Sequence, residues 1–350
     1  MKKVVIAGII VVFALIIGAF SFVIIGGKPV EKGNDEQVIF IVAEGDSAPV
    51  IAEKLKDADL IRNELAFRIK AKLSGNESKF QAGTYSLNKG MAANRIIWLF
   101  ANGKTAGKSF RITEGQALYK IAASLEDQEI CTKKEFYHEV EKGEFDYPFM
   151  KMLPKGAARL EGFLWPDTYS IGLNDGAHEA VDQMLSGFEQ NVYNVYKDEI
   201  AEKKLDFYKT IVKASIIERE GSFEEDKKKV SSVIDNRLKK DMYLQMDSIL
   251  SYIHQEDKVI ATYGDLKVDS KYNPYKNKGL PPGPICSPGT DSINAAINPD
   301  KTNYIFFVNS EKLDGSLTFA ETEKEFMKAK EAFENAYAKY LKENEVKKKD

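Results

Sequence analysis

The segment Ala214-Ser215-Ile216-Ile217-Glu218-Arg219-Glu220 sets a carboxyl into an otherwise apolar helical pattern. On a helix spanning Leu205 to Glu220, Glu218 shares its face with Ile211, Ala214 and Ser215, at spacings of seven, four and three. A carboxyl on the apolar side loses hydration, which favours the protonated form that a general acid needs at neutral pH. The plainer alternative is a glutamate at a helix end, bound to Arg219 or to nearby backbone. Glu220, two positions on, points to roughly the opposite side, so local spacing does not make it the partner of Glu218. Other reactive types are sparse. His138, His178 and His254 stand alone in polar surroundings and take no role. Cys131 and Cys286 are far apart without a histidine nearby, which excludes a zinc cage and leaves one disulfide open.

The elements that must position Glu218 occupy a chain of 350 residues, 43% hydrophobic and 29% charged, long enough for two domains with cores and too apolar for disorder. A formal net charge of -3 gives no global field toward nucleic acid, so nucleic-acid binding is not expected. After Lys2 and Lys3, the 22 residues from Val4 to Ile25 carry no charge, enough at about 1.5 Å each to cross a hydrocarbon core of roughly 30 Å. That run exceeds a signal-peptide core and lacks a clear cleavage site, so an uncleaved transmembrane helix is expected over residues 4–25. The lysine pair places the N-terminus in the cytoplasm and the rest of the chain outside it. Residues 1–27 thus form the anchor and 28–37 a short solvated tether.

Beyond the tether the chain repeats itself weakly at an offset of 70, Phe40 to Ile61 against Phe110 to Ile130. Glu44-Gly45 matches Glu114-Gly115, Ile51-Ala52 matches Ile121-Ala122, and Leu55 and Asp57 match Leu125 and Asp127. Each copy reads as strand, Glu-Gly turn, then helix. In the first copy, a second helix from Asn63 to Leu73 and a strand near Tyr85 complete a small α+β unit over residues 38–105, which resembles a LysM-type carbohydrate-binding module. A plain folding module fits the same pattern. Residues 106–153 carry the second copy, and from 154 to 342 longer helical patterns (Ala177 to Tyr196, Leu205 to Glu220, Lys227 to Lys239) mark a mixed α+β catalytic domain. Ser287-Pro288 reads as an N-cap with proline at the first helical position, before a helix ending near Ile297. Residues 343–350 read as a charged, frayed tail. The fold class is therefore α+β: a transmembrane helix, a small LysM-like module and a mixed α+β catalytic domain.

Four ordered segments carry a wider resemblance: LEGFLWPDTY (Leu160 to Tyr169), ASIIERE, VIDNRLKKDMYLQMDSI (Val233 to Ile249) and YNPY with GLPPGPICSPGTDSINAAINP (Tyr272 to Pro299). With the strand YIFFV at Tyr304 to Val308, they resemble the endolytic murein transglycosylases, the MltG or YceG-like family. That resemblance implies a bacterial inner-membrane enzyme cutting peptidoglycan glycan strands internally, with Glu218 as the catalytic glutamate and no cofactor. It also implies contact with peptidoglycan synthases and other elongation or division proteins. Two departures stand out: Leu317 takes the place of the family's histidine after the C-terminal strand, and Met246-Asp247-Ser248-Ile249 replaces its T-x-P segment.

In this frame Trp165 and Tyr169 offer faces to stack on a sugar ring, and Glu161 and Asp167 offer acceptors, although a buried corner at Trp165-Pro166 reads equally well. Asn236, Arg237, Gln245 and Asp247 either cap a helix end or orient an N-acetyl group or the catalytic glutamate. Tyr272 and Asn273 complete the expected substrate-binding set. One carboxylate suffices for a lytic transglycosylase, because the muramic acid's own C6 hydroxyl attacks in place of water. Two rivals remain: a hydrolytic muramidase pairing Glu218 with Asp247 or Asp167, and a non-catalytic, membrane-tethered peptidoglycan-binding scaffold.

Overall fold

The computed structural model describes residues 18, 20–103, 106–173, 175–256 and 264–347. Residues 20–26 are helical (α1). The apolar run from Val4 to Ile25 otherwise lies outside the described residues, except for residue 18. Among the described residues, no helix is long and apolar enough to cross a membrane. The chain divides into two compact units, one made of residues 1–109 with 170–175 and the other of 110–169 with 176–350.

In the first unit β1 (Val38–Val42) leads to α2 (Ala48–Asp57), α3 (Glu64–Leu73), β2 (Gly83–Leu87) and α4 (Ala93–Ala101). β1 and β2 pair antiparallel, with Phe40 opposite Tyr85. One strand face and the apolar sides of the helices bury a shared core of Phe40, Val42, Ile51, Leu55, Phe67, Tyr85 and Phe100, the outcome expected when period-2 and period-3.6 patterns meet. Asn63 caps α3 by accepting from the Ala66 N–H at 2.9 Å.

The second unit begins within β3 (Gly107–Arg111), which pairs with β4 (Thr168–Gly172). Between them lie α5 (Leu118–Asp127) and α6 (Lys133–Lys142), so both copies of the repeat run strand, helix, helix, strand. The copies also share their turns. Gly45 and Gly115 take positive φ of 84° and 76°, which a side chain would resist. Asp59 and Glu129 follow α2 and α5 with φ of 55° and 54°, in helix terminations closed by the Leu60 N–H on Leu55 and the Ile130 N–H on Leu125.

Helices then dominate: α7 (Ala177–Phe188), α8 (Asn194–Glu202), α9 (Phe207–Glu220), α10 (Glu224–Lys239), α11 (Asp247–His254) and α12 (Thr290–Ile297). A π-helical turn, Glu189–Tyr193, joins α7 to α8 and carries the helical stretch past Tyr196 to Glu202. The antiparallel hairpin of β5 (Phe306–Asn309) and β6 (Leu317–Ala320) precedes α13 (Glu323–Lys347).

Other boundaries also differ from those read in the sequence, among them the C-terminal strand, which starts at Phe306 rather than Tyr304. α9 starts at Phe207 because the Asp206 side chain caps it, accepting from Lys209 N at 2.8 Å. α10 starts three residues early, at Glu224, with an acidic first turn that suits the helix dipole. α12 starts at Thr290 with Gly289 as its N-cap, because Ser287 is engaged elsewhere: its N–H donates to Gln116 O and its carbonyl accepts from Gly115 N, both at 2.9 Å. α13 runs into the charged tail as far as Lys347, supported by good helix formers and pairs such as Lys339 with Glu343 at 4.0 Å.

Candidate active site

α9 is the central helix of the site. Every side chain from Thr210 to Ile217 is buried, so the helix has an apolar circumference rather than a single apolar stripe. Even Lys213 is buried, holding Asp235 at 2.7 Å. Ser215 fixes the proline-rich loop, accepting from Ile285 N at 3.0 Å while its carbonyl accepts from Cys286 Sγ at 3.2 Å. Both cysteines are free.

One turn after Ser215, Glu218 emerges with 10% of its side chain exposed. Three donors converge on its Oε2: Lys227 Nζ at 3.2 Å from α10, Gly289 N at 3.1 Å from the N-cap of α12, and Ser292 Oγ at 2.5 Å from the first turn of α12. Lys227 is itself only 8% exposed. The carboxyl is thus held by an ammonium, a main-chain N–H at a helix start and a hydroxyl, all charge-assisted contacts.

Glu114 approaches the same place. Its carboxyl lies against the Cα of Gly289: a Cβ added there would fall 2.1 Å from Oε1 and 2.7 Å from Oε2 of Glu114. Burial, then the charge of Glu218, push the Glu114 carboxyl above the usual range, with Lys227 opposing them and Asp291 adding to them. The sequence holds a trace of this residue as the Glu-Gly turn of the second repeat, but a turn motif does not say what the glutamate faces. Lys227 comes from α10, and Gly289 and Ser292 from the start of α12, both apart from α9 in the sequence.

The remaining expected site residues fall into separate groups. Glu161 is 2% exposed; both its oxygens accept from Leu118 N at the start of α5, at 3.1 and 3.2 Å. Burial pushes its carboxyl up to about 8 against the bonds from Leu118, Tyr252 and Gly162. Tyr272 packs on Tyr252 with ring centres 5.3 Å apart, and with Glu161, Tyr119 and Tyr137 these rings line a cleft of about 330 Å³. Trp165 is buried, Tyr169 donates to its carbonyl at 2.6 Å and stacks on Phe110, and an atom added to Gly187 would collide with both rings. Asp167 accepts from Thr168 N at 2.7 Å.

Asn236 donates to Thr302 O at 2.8 Å and Tyr304 O at 2.9 Å, and Arg237 to Ile305 O at 2.6 Å and to Leu244 O. Gln245 takes a positive φ of 46° and donates its N–H to Pro274 O at 3.2 Å. Asp247 accepts from Tyr275 Oη at 2.6 Å. Asn273 is fully buried and closes its own loop on Leu266 O and Val268 O. Glu220, pushed up to about 7 chiefly by burial, receives the Ser248 N–H at 3.4 Å at the start of α11. Leu317 donates its N–H to Asp226 at 2.8 Å.

Comparison with known proteins places these motifs in context. The model of the YceG-like family matches residues 40–332. A curated Bacillus subtilis protein named endolytic murein transglycosylase is 37% identical over 318 residues, covering 87% of either chain. A Streptococcus pneumoniae protein of the same name is 30% identical over 337 residues, covering 87% of this chain and 60% of its own. The crystal structure of a yceG-like protein from Listeria monocytogenes superposes with a TM-score of 0.58 at 33% identity, over 84% of this chain and 99% of its own.

Proposed function

The chain belongs to the YceG-like family, and from that premise we propose that it is an endolytic murein transglycosylase, a lyase that cuts peptidoglycan strands internally. The bond is that between N-acetylmuramic acid and N-acetylglucosamine, and the product carries a 1,6-anhydro end. The observation that carries this reading is the treatment of Glu218: a carboxyl almost out of solvent, held on one oxygen by Lys227, Gly289 and Ser292. A group so fixed can act with little reorganisation.

In the reaction a proton from the Glu218 carboxyl passes to the bridging oxygen as the C1–O bond breaks. The carboxylate then takes the proton of the C6 hydroxyl as that oxygen bonds to C1. Water is not consumed, so no second group is needed to activate it. The aromatic cleft at Tyr119, Tyr137, Tyr252 and Tyr272 supports a place for sugar rings near Glu161. The strand, helix, helix, strand order from β1 to β2 supports a LysM-like module. The uncharged run from Val4 to Ile25 supports a single-pass anchor in the bacterial inner membrane, with Lys2 and Lys3 in the cytoplasm. So tethered, the enzyme acts on new strands near their synthesis, sets their length, and meets peptidoglycan synthases and other elongation or division proteins there.

The test is digestion of purified peptidoglycan with the purified full-length chain and with Glu218→Gln. Mass spectrometry should find anhydro ends with the first and none with the second. Reducing ends would make the protein a hydrolytic muramidase, and unchanged strand lengths a binding scaffold.

A further inference from the structure

Gly289 is approached by two carboxyls, Glu218 at its N–H and Glu114 at its Cα. Its N–H donates to Glu218 Oε2 at 3.1 Å, and the space its missing Cβ would fill is taken by the carboxyl of Glu114. The strap that carries Glu114 is fixed, because Gly115 N and Gln116 O both bond the main chain of Ser287 at 2.9 Å. Gly115 itself turns toward α9, since a Cβ there would lie 3.9 Å from Glu218 Cγ. Glu114 is exposed, so a ligand can reach it. On the same strap contact, the Ser287 hydroxyl, in a residue 1% exposed, has no hydrogen-bond partner among the described residues.

We propose that Glu114 is the second carboxyl of the reaction centre, and that it and Glu218 hold between them the single proton the reaction passes. This rests on the transglycosylase reading and deepens it. One proton on two carboxyls leaves one negative charge, which Lys227 balances. The charged groups around the pair are Lys227 from α10, Arg219 beside Gly115 on α9, and Asp291 in α12. The Glu114 carboxyl is raised by burial first and by the charge of Glu218 second, and the second cause agrees with like charges that resist ionising together. In the forward step the pair gives its proton to the bridging oxygen as the C1–O bond breaks. The C6 oxygen then bonds to C1 and its proton returns to the pair, leaving both carboxyls as they began. The net transfer runs from O6 of the muramic acid to the departing O4, with no water and no oxidant.

The experiment compares the full-length chain with Glu114→Gln, Glu114→Asp, Gly289→Ala and the double variant Glu114→Gln/Gly289→Ala, after thermal melts to confirm folding. Anhydro-muropeptide release is followed from pH 4 to 9. Glu114→Gln should lower kcat by about tenfold or more with KM within about twofold, and should alter the shape of the pH profile. Glu114→Asp should recover part of both. Gly289→Ala, whose added methyl displaces a mobile carboxyl rather than backbone, should cost about as much, and the two losses should not add in the double variant. Wild-type kcat and pH profile in Glu114→Gln, or fully additive losses, would overturn the pair and leave Glu218 acting alone. Full activity of Glu218→Gln in the same assay would instead remove the transglycosylase reading of this site.

Discussion

Ser292 and Glu218 meet at 2.5 Å, hydroxyl to Oε2, from the first turn of α12 and the last turn of α9. The short bond fixes the rotation of the carboxyl, while Lys227 and the Gly289 N–H fix its position. Ser292→Ala should therefore leave the fold intact and lower kcat by about tenfold to a hundredfold, since hydrogen bonds to charged groups contribute about 1.5–3 kcal/mol. KM should stay within about twofold. Steady-state kinetics on purified peptidoglycan reads both, and an unchanged kcat would show that the hydroxyl does not orient the acid.

Lys227 and Glu218 form a pair whose side chains are 8% and 10% exposed, 3.2 Å apart. Breaking a buried pair from one side strands the other charge, at about 3–5 kcal/mol. Lys227→Met should lower stability by that order, and adding Glu218→Gln should restore part of it by removing the stranded carboxylate. Chemical denaturation of the four chains closes the cycle. Simple addition of the two losses would mean that the pair is not coupled.

Glu161 gives the fold a pH dependence. Its carboxyl is pushed up to about 8 by burial, while in the unfolded chain it titrates near the ordinary glutamate value of about 4.5. Between those values the folded state binds the proton and the unfolded state does not, so stability falls as pH rises from about 4.5 to about 8 and levels off above. Glu220, pushed up to about 7, adds to the same slope. Glu161→Gln still offers an oxygen to Leu118 N and should flatten the curve by about one to a few kcal/mol across that range. Denaturation midpoints at pH 5 and pH 8 measure it; equal slopes in both proteins would refute the assignment.

What the sequence discloses is local. The spacing of Glu218 from Ile211, Ala214 and Ser215 is a property of one helix, but α9 is buried all round from Thr210 to Ile217 and Glu220 is itself pushed up to about 7 by burial, so that spacing does not separate the two carboxyls; the paired Glu-Gly turns are legible because each sits beside its own strand. Lys227, Gly289 and Ser292 are silent, because only the packing of α9 against α10 and α12 brings their donors to one oxygen. The Ser287-Pro288 signal misleads by two residues for a related reason: the serine's main chain is drawn into a pairing with Gly115 and Gln116, far away in sequence. Glu114 is legible as a turn residue and illegible as a neighbour of Glu218. Tertiary partners override a local rule when they satisfy the same backbone groups.

Asn236 and Arg237 admit two sequence readings, a cap network or substrate orientation, and their bonds separate the two by experiment. Asn236 spends its amide on Thr302 O and Tyr304 O, and Arg237 its guanidinium on Ile305 O and Leu244 O, beside the Phe306 ring. All of these are carbonyls within the fold: those of Thr302, Tyr304 and Ile305 hold the approach to β5, and that of Leu244 the approach to α11. Removing the donors leaves acceptors without partners, at about 1–3 kcal/mol for each one that stays buried. Arg237→Met, which keeps the aliphatic stem, should therefore lower stability by about 2–4 kcal/mol. At a temperature where the variant is still folded, KM should match the wild type. A raised KM with unchanged stability would instead put Arg237 on the substrate, and the C-terminal hairpin would then need another brace.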